Sequence, residues 1–125
     1  MRYTYSELNQ RANRAANFLR DQYGVQKSDR VSILAHNSIA YVDLLFGLGK
    51  IGAVLAPLNW RLTSRELTYI VNDCQPKVLI VGPEFVSVYS EMQNEINVEH
   101  VISLDDANLE AAEKYEEALN QASAE

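Results

Sequence analysis

The sequence predicts an α/β fold, a three-layer parallel sheet of about four strands with helices on both faces. Short runs rich in Val, Ile and Leu alternate with longer segments in which apolar residues recur every three or four positions. The strand-like runs begin about every 22–24 residues, which is the spacing of right-handed strand–helix–strand crossovers. The runs are almost continuously apolar, as expected for strands covered on both faces.

The first predicted helix opens with a capping box, in which Thr4 is the N-cap and Glu7 reaches back to it. Its apolar stripe has spacings of four, three and four: Leu8, Ala12, Ala15 and Leu19. Gly24 is a suitable helix end, because glycine readily adopts the left-handed conformation of a C-terminal cap.

A β-prone run at residues 30–35 is the first predicted strand. Asn37 and Ser38 are candidate caps for a helix at about residues 39–50, and Gly52 ends it. The second predicted strand covers residues 53–56. Pro57 closes this strand, because proline cannot donate to a sheet ladder.

Thr63 and Glu66 form a second capping box and open a helix with Leu67, Ile70 and Val71 on one face. The remaining predicted elements are a strand at 77–81, a helix at 84–95, a strand at 99–104 and a helix at 108–121. Asp105 and Asp106 are the candidate caps of this last helix, whose apolar positions are Leu109, Ala112, Tyr115 and Leu119.

The 125 residues suit one α/β subdomain, and the net charge of −6 argues against a nucleic-acid binder. Residues 1–83 carry ten Lys and Arg against six Asp and Glu, whereas residues 84–125 carry one Lys against eleven Asp and Glu. Residues 105–125 are therefore predicted to be an acidic C-terminal helix. Such a helix is either a solvated end or a docking surface for a basic partner, and the sequence leaves both open.

Cys74 is the only cysteine, so an intramolecular disulfide is impossible and a buried structural thiol is expected. The N-terminus lacks the apolar core of a signal peptide, and no apolar run reaches the roughly 20 residues of a membrane helix. We therefore predict a cytoplasmic protein with no membrane span.

Residues Gly47 to Gly52 match the G-x-G-x-x-G pattern of dinucleotide-binding proteins. In that motif the glycines follow a strand and open a helix, so that backbone amides meet the pyrophosphate. Here the glycines close a predicted helix, so they would present carbonyls. Close helix packing at Gly47 and Gly49, with a helix end at Gly52, is the favoured interpretation, and the spacing of His and Cys predicts no metal site.

Ligands of open parallel sheets bind at the carboxyl ends of the strands. His36 and Asn37 follow the first predicted strand, and Trp60 and Arg61 follow the second. His36, Asn37 and Trp60 are therefore the candidate substrate-binding residues. Alternatively, His36 and Asn37 belong to a loop and a helix cap, and Trp60 only covers the core.

Several segments in order resemble the adenylate-forming superfamily of acyl-CoA synthetases, luciferases and peptide-synthetase adenylation domains. Residues 4–8, Thr-Tyr-Ser-Glu-Leu, are similar to its first core motif, and residues 48–59 resemble its second, which ends in Pro-Leu-Asn. Asp-Arg-Val at 29–31 with His-Asn-Ser at 36–38 resembles the segment between them, although Ser28 replaces the usual glycine. The likeness covers roughly residues 3–104. The run Pro-Leu-Asn-x-Arg-Leu-Thr at 57–63 favours acyl-CoA synthetases over peptide-synthetase domains, and within that branch the sequence resembles fatty-acid or aryl-acid CoA ligases.

The resemblance implies a large N-terminal domain of an acid–thiol ligase that uses ATP, Mg²⁺ and CoA. A small-molecule carboxylic acid would become an acyl-adenylate and then an acyl-CoA, as in fatty acid metabolism. The family's phosphate loop, Thr-Gly-Thr-Thr-Gly, does not occur in these residues. No catalytic, cofactor-binding or metal residue is therefore assigned, and the chain is expected to be an inactive scaffold whose partner is the remainder of the parent enzyme.

Two further expectations follow from these observations. A piece of a larger domain would expose an apolar patch or an open strand edge, so we expect the chain to self-associate. The alternative function is a stand-alone flavodoxin-like or receiver-like binding or interaction module. That alternative requires an acidic cluster or an anion-binding turn after the first strand.

Overall fold

The computed structural model describes residues 3–35, 39–104 and 113–122. Its helices are α1 (Tyr5–Tyr23), α2 (Ile39–Ile51), α3 (Ser64–Cys74), α4 (Val86–Met92) and α5 (Tyr115–Gln121), and a 3₁₀ turn at Pro83–Phe85 precedes α4. Its strands are β1 (Arg30–Leu34), β2 (Val54–Pro57), β3 (Val78–Val81), β4 (His100–Ser103) and β5 (Glu113–Lys114).

The strands form one parallel sheet in the order β2-β1-β3-β4-β5. In the register, Val31 lies opposite both Leu55 of β2 and Val78 of β3. The predicted α/β architecture with a parallel sheet is confirmed, with five strands in the described part of the chain instead of about four.

Alternation along the central strands divides the core into two layers. Val31 and Ile33 of β1 pack on the side of α1, α2 and α5, whereas Leu34 packs on the side of α3 and α4. On β3, Ile80 faces the first side and Leu79 the second. Because successive side chains of a strand point to opposite faces, four consecutive apolar residues supply both layers.

Both predicted capping boxes are present. The Thr4 hydroxyl accepts a hydrogen bond from the Glu7 amide at 3.1 Å, and the Thr63 hydroxyl accepts one from the Glu66 amide at 3.2 Å. Gly24 ends α1 with a left-handed φ of 69°, as predicted. These helix starts and ends were readable from the sequence because they depend on local backbone chemistry.

The acidic C-terminal segment differs from the prediction. Glu113 and Lys114 form β5, pairing with Ile102 and Ser103 of β4, and α5 begins only at Tyr115. Pairing with an open strand edge satisfies backbone groups that a helix would otherwise satisfy internally. The predicted caps Asp105 and Asp106 and the apolar positions Leu109 and Ala112 lie outside the described residues.

Two predicted boundaries also shift. The helix predicted at 84–95 ends at Met92. The Asn72 side chain binds the backbone of the segment that follows. Its amide donates to the Glu95 carbonyl at 2.9 Å, and its carbonyl accepts from the Asn97 amide at 2.9 Å. Ile70, predicted on the buried face of α3 with Leu67, is 37% exposed.

The two glycines that were predicted to allow close helix packing behave differently. A Cβ atom on Gly47 would lie 2.8 Å from the carbonyl oxygen of Ala12, so α1 and α2 touch backbone to backbone there. A Cβ atom on Gly49 would meet nothing within 4 Å, so the prediction is wrong at that position. Within the described residues, no helix is long and apolar enough to cross a membrane.

Candidate functional site

The carboxyl ends of the strands place the candidate residues at one edge of the sheet. In the sheet, β2 lies on one side of β1 and β3 lies on its other side. The strand order therefore reverses between β1 and β3. A crevice at such a reversal is the usual ligand position in open α/β sheets. The candidate site therefore lies over the end of β1, between the loops that follow β2 and β3.

The floor of this site is tightly packed. The Gly82 amide donates to the Leu34 carbonyl at 2.9 Å, and a Cβ atom on Gly82 would lie 2.9 Å from the Cβ of Ala35. A larger side chain at position 82 would push the ends of β1 and β3 apart. His36 and Asn37, the candidates that directly follow, lie outside the described residues.

Trp60 and Arg61 lie on the loop after β2, as predicted. The Arg61 guanidinium carbon lies 5.0 Å from the centre of the Trp60 ring, within the range of a cation–π contact. The centre of the Trp60 ring also lies 6.3 Å from the centre of the Phe85 ring, and Phe85 follows β3. Trp60 is 40% exposed, so its side chain is partly open to solvent while it lies beside the buried Phe85.

The described side chains at this edge, Trp60 and Arg61, are of types that bind ligands. An aromatic face and a guanidinium suit a planar or phosphate-bearing ligand. In the described part of the chain, no three His, Cys, Asp or Glu side chains are grouped so as to hold a metal ion. Cys74 is half-buried, not buried as predicted, and its sulfur lies 4.0 Å from the Ser32 hydroxyl.

The G-x-G-x-x-G pattern lies where its order in the sequence predicts. It closes α2, and Gly52 follows the helix with a left-handed φ of 75°. The Gly52 carbonyl accepts a hydrogen bond from the Ser28 amide at 2.9 Å, and the Ala53 amide donates to the Leu48 carbonyl at 3.0 Å. The glycines therefore form a helix end and a turn into β2.

A buried polar cluster joins α1, α2 and α5, which pack on the same face of the sheet. The sequence did not predict this cluster. The fully buried Asp43 carboxylate of α2 accepts hydrogen bonds from Arg11 of α1 at 2.9–3.2 Å and from the Tyr115 hydroxyl of α5 at 2.8 Å. Arg11 also donates to Glu116 at 2.8 Å. The available signal was a single carboxylate in the middle of an otherwise apolar helix.

Burial and charge act against each other in this cluster. Burial raises the pKa of the Asp43 carboxyl, and the hydrogen bonds from Arg11 and Tyr115 offset part of that rise. Burial lowers the pKa of the Arg11 guanidinium, but Asp43 and Glu116 outweigh it, so that its pKa is raised overall. Burial and the neighbouring Asp43 also raise the pKa of Tyr115. The cluster is therefore a buried ion pair that links α1, α2 and α5.

Comparison with known proteins decides the family. The model of the AMP-binding enzyme family matches residues 1–125. The chain belongs to the AMP-binding enzymes. It is 38% identical over 94 residues to a crotonobetaine/carnitine–CoA ligase of Escherichia coli O1:K1, a match that covers 75% of this chain and 18% of that protein.

Solved structures of the family share the fold. An anthranilate CoA ligase in complex with anthranoyl-AMP superposes with a TM-score of 0.91 at 26% identity, over 98% of this chain and 24% of that one. A fatty acyl CoA synthetase of Mycobacterium tuberculosis gives 0.84 at 31% identity, over 100% of this chain and 24% of that one. The chain thus spans about a fifth to a quarter of the length of these relatives.

Proposed function

We propose that this chain is the N-terminal α/β subdomain of an ATP-dependent acid–thiol ligase. The observation that carries the proposal is the family match over residues 1–125, together with relatives that are CoA ligases of carnitine-type, aryl and fatty acids. In the complete enzyme, a substrate carboxylate would attack the α-phosphate of ATP and release pyrophosphate. The CoA thiolate would then attack the acyl carbonyl and release AMP.

The chain itself would act as a scaffold. Its described residues include no carboxylate cluster for the Mg²⁺ that would accompany the nucleotide, so no metal ligand is assigned to it. The carboxyl edge around Trp60 and Arg61 would contribute contacts to a phosphate-bearing or planar substrate. We also propose that the substrate is a fatty or aryl acid. The proposed location is the cytoplasm, which cell fractionation would test.

ATP–pyrophosphate exchange tests the function directly. The complete protein should exchange pyrophosphate in the presence of one class from a panel of fatty, aryl and carnitine-type acids. The 125-residue chain should show no exchange above the rate without enzyme. No exchange by the complete protein with any acid would contradict the ligase assignment, and exchange by the short chain would contradict its role as a scaffold.

The strand order gives the alternative function a specific basis. The order β2-β1-β3-β4-β5 is also that of flavodoxin-like and receiver-like binding modules. Such a module needs acidic or anion-binding groups after β1, whereas the sequence there is Ala-His-Asn-Ser. Calorimetry of the 125-residue chain with a flavin nucleotide, ATP and CoA separates the two, because only the stand-alone module should bind tightly.

Removing the Trp60 ring from the complete enzyme should lower kcat/KM by about fivefold or more, since well-placed aromatic contacts contribute about 1–3 kcal/mol to binding a base. Trp60→Ala should have only a small effect on the free energy of unfolding, because the ring is 40% exposed. Tyr69→Ala is the matched control, since Tyr69 is an aromatic residue that is 74% exposed on α3, away from this edge. Equal kcat/KM values for both variants would exclude Trp60 from the site.

A further inference from the structure

An open apolar groove of about 440 Å³ runs along α1 and α2. Its walls are Tyr5, Leu45 and Phe46, which are 89%, 60% and 59% exposed. Three large apolar side chains on one surface form a contiguous patch, unlike the scattered exposed apolar residues of most soluble proteins.

The composition of α2 indicates that this surface is covered in the complete protein. Ala40, Leu44 and Leu48 bury the inner face of α2 against the core, while Leu45 and Phe46 face outward. A helix that is apolar on all sides is typical of a buried position in a larger protein. By contrast, α3 buries Leu67 and Val71 and is otherwise mainly polar, as expected of a helix with one solvated face.

Gly49 provides a gap in the same surface. An added Cβ atom would meet nothing within 4 Å, and the position lies on the groove beside Phe46. A missing side chain between exposed apolar neighbours allows another element to approach the α2 backbone closely. The groove therefore has the shape of one side of a helix or strand contact.

We propose that this groove receives an apolar segment of the remainder of the ligase, and this proposal rests on the function proposed above. The relatives are about four times as long as this chain, so a complete ligase of that length would supply the occupant from the same polypeptide. At the groove rim, the Lys50 ammonium donates to the Asn9 side chain at 3.3 Å. Because an ammonium has three donors, Lys50 can also donate to a carbonyl or carboxylate group, so a segment with an apolar face and such a group fits the groove.

An open groove favours this occupant over a small ligand. Binding pockets bury most of a small ligand's surface, whereas the walls here are more than half exposed. A second copy of the chain is the other possible occupant, and it would account for self-association of the 125-residue chain. The two occupants are separated by comparing the short chain with the complete protein.

The test places a cysteine at Leu45 and measures maleimide labelling by peptide mass spectrometry in both proteins. Leu45→Cys should react at least about tenfold more slowly in the complete protein than in dilute 125-residue chain, because packed positions react only after opening. Tyr69→Cys is the reference, and its rate should be similar in the two proteins. Cys74→Ser is included in both backgrounds to remove the native thiol.

Three results would overturn the proposal. Equal reactivity of Leu45→Cys in both proteins would leave the groove uncovered. Protection that appears in the short chain as its concentration rises, without protection in the monomeric complete protein, would assign the groove to a second copy. Protection of the complete protein only after a fatty or aryl acid is added would assign it to a small ligand.

Phe46→Glu gives an independent readout. In the complete protein it should lower Tm by more than about 5 °C, because it places a charge in a packed contact. In the short chain it should leave Tm nearly unchanged and reduce light scattering. If the complete variant does not fold, the cysteine measurement still decides. Neither readout uses catalysis, so failure of this proposal is distinguishable from failure of the pyrophosphate exchange.

Discussion

Replacing Asp43 with alanine is expected to lower the free energy of unfolding by about 3–5 kcal/mol, the usual loss when one partner of a buried ion pair is removed. The Asp43 side chain is fully buried and accepts hydrogen bonds from Arg11 and Tyr115. Without it, a largely buried guanidinium and a buried hydroxyl lose a shared acceptor. Urea denaturation of the 125-residue chain at low concentration measures the loss.

Glu116→Gln is the matched control for this experiment. Its carboxylate also binds Arg11 but is 41% exposed, so its removal should cost no more than about 1 kcal/mol. A combined Arg11→Met, Asp43→Leu and Tyr115→Phe variant should recover much of the stability, because it removes the buried polar groups together. A loss of less than about 1 kcal/mol for Asp43→Ala alone would show that the ion pair does not hold the helices together.

Gly47→Val is expected to cost about 3 kcal/mol or more, beyond the usual range for mild overpacking. Its Cβ atom would lie 2.8 Å from the Ala12 carbonyl oxygen and 3.3 Å from the Cβ of Ala15. Both neighbours belong to the body of α1, and backbone cannot move aside as a flexible side chain can. The free energy of unfolding, with the separation of α1 and α2 in a crystal structure of the variant, measures the effect.

Gly49→Ala provides a control of opposite sign in the same helix. Nothing lies within 4 Å of the added Cβ atom, so the substitution removes only the flexibility of glycine. It should therefore stabilise the chain by about 0.5–1 kcal/mol. If both glycine substitutions destabilised the chain equally, the close contact at Gly47 would not be the reason for its loss.

The parts of the fold that the sequence predicted well are those fixed by local chemistry. Thr4 and Thr63 begin helices because their hydroxyls bind amides three residues ahead, and Gly24 ends α1 because its φ is positive. The apolar runs of β1 and β3 indicated strands covered on both faces, and the family resemblance was carried by ordered motifs along the chain. For the site, the sequence correctly placed Trp60 and Arg61 after β2.

Features that depend on distant residues were missed. Glu113 and Lys114 have helix-compatible neighbours, yet they pair with β4 because that strand offers an open edge. The Cys74 thiol was expected to be buried, but it lies half-buried at the end of α3. Gly47 and Gly49 share one motif, but within the described residues the position of α1 places only Gly47 in a close backbone contact.

The sequence by itself thus determined the helix ends at Thr4, Gly24 and Thr63, the order of strands and helices from α1 to β4, and the direction in which the Gly47–Gly52 pattern faces. The tertiary structure decided which elements meet: the reversal of strand order between β1 and β3, the contact of Trp60 with Phe85, and the Asp43 ion pair. The reason is physical. Capping and backbone preference act over a few residues, whereas burial and ion pairing depend on residues such as Arg11 and Glu116 that only the folded chain brings together.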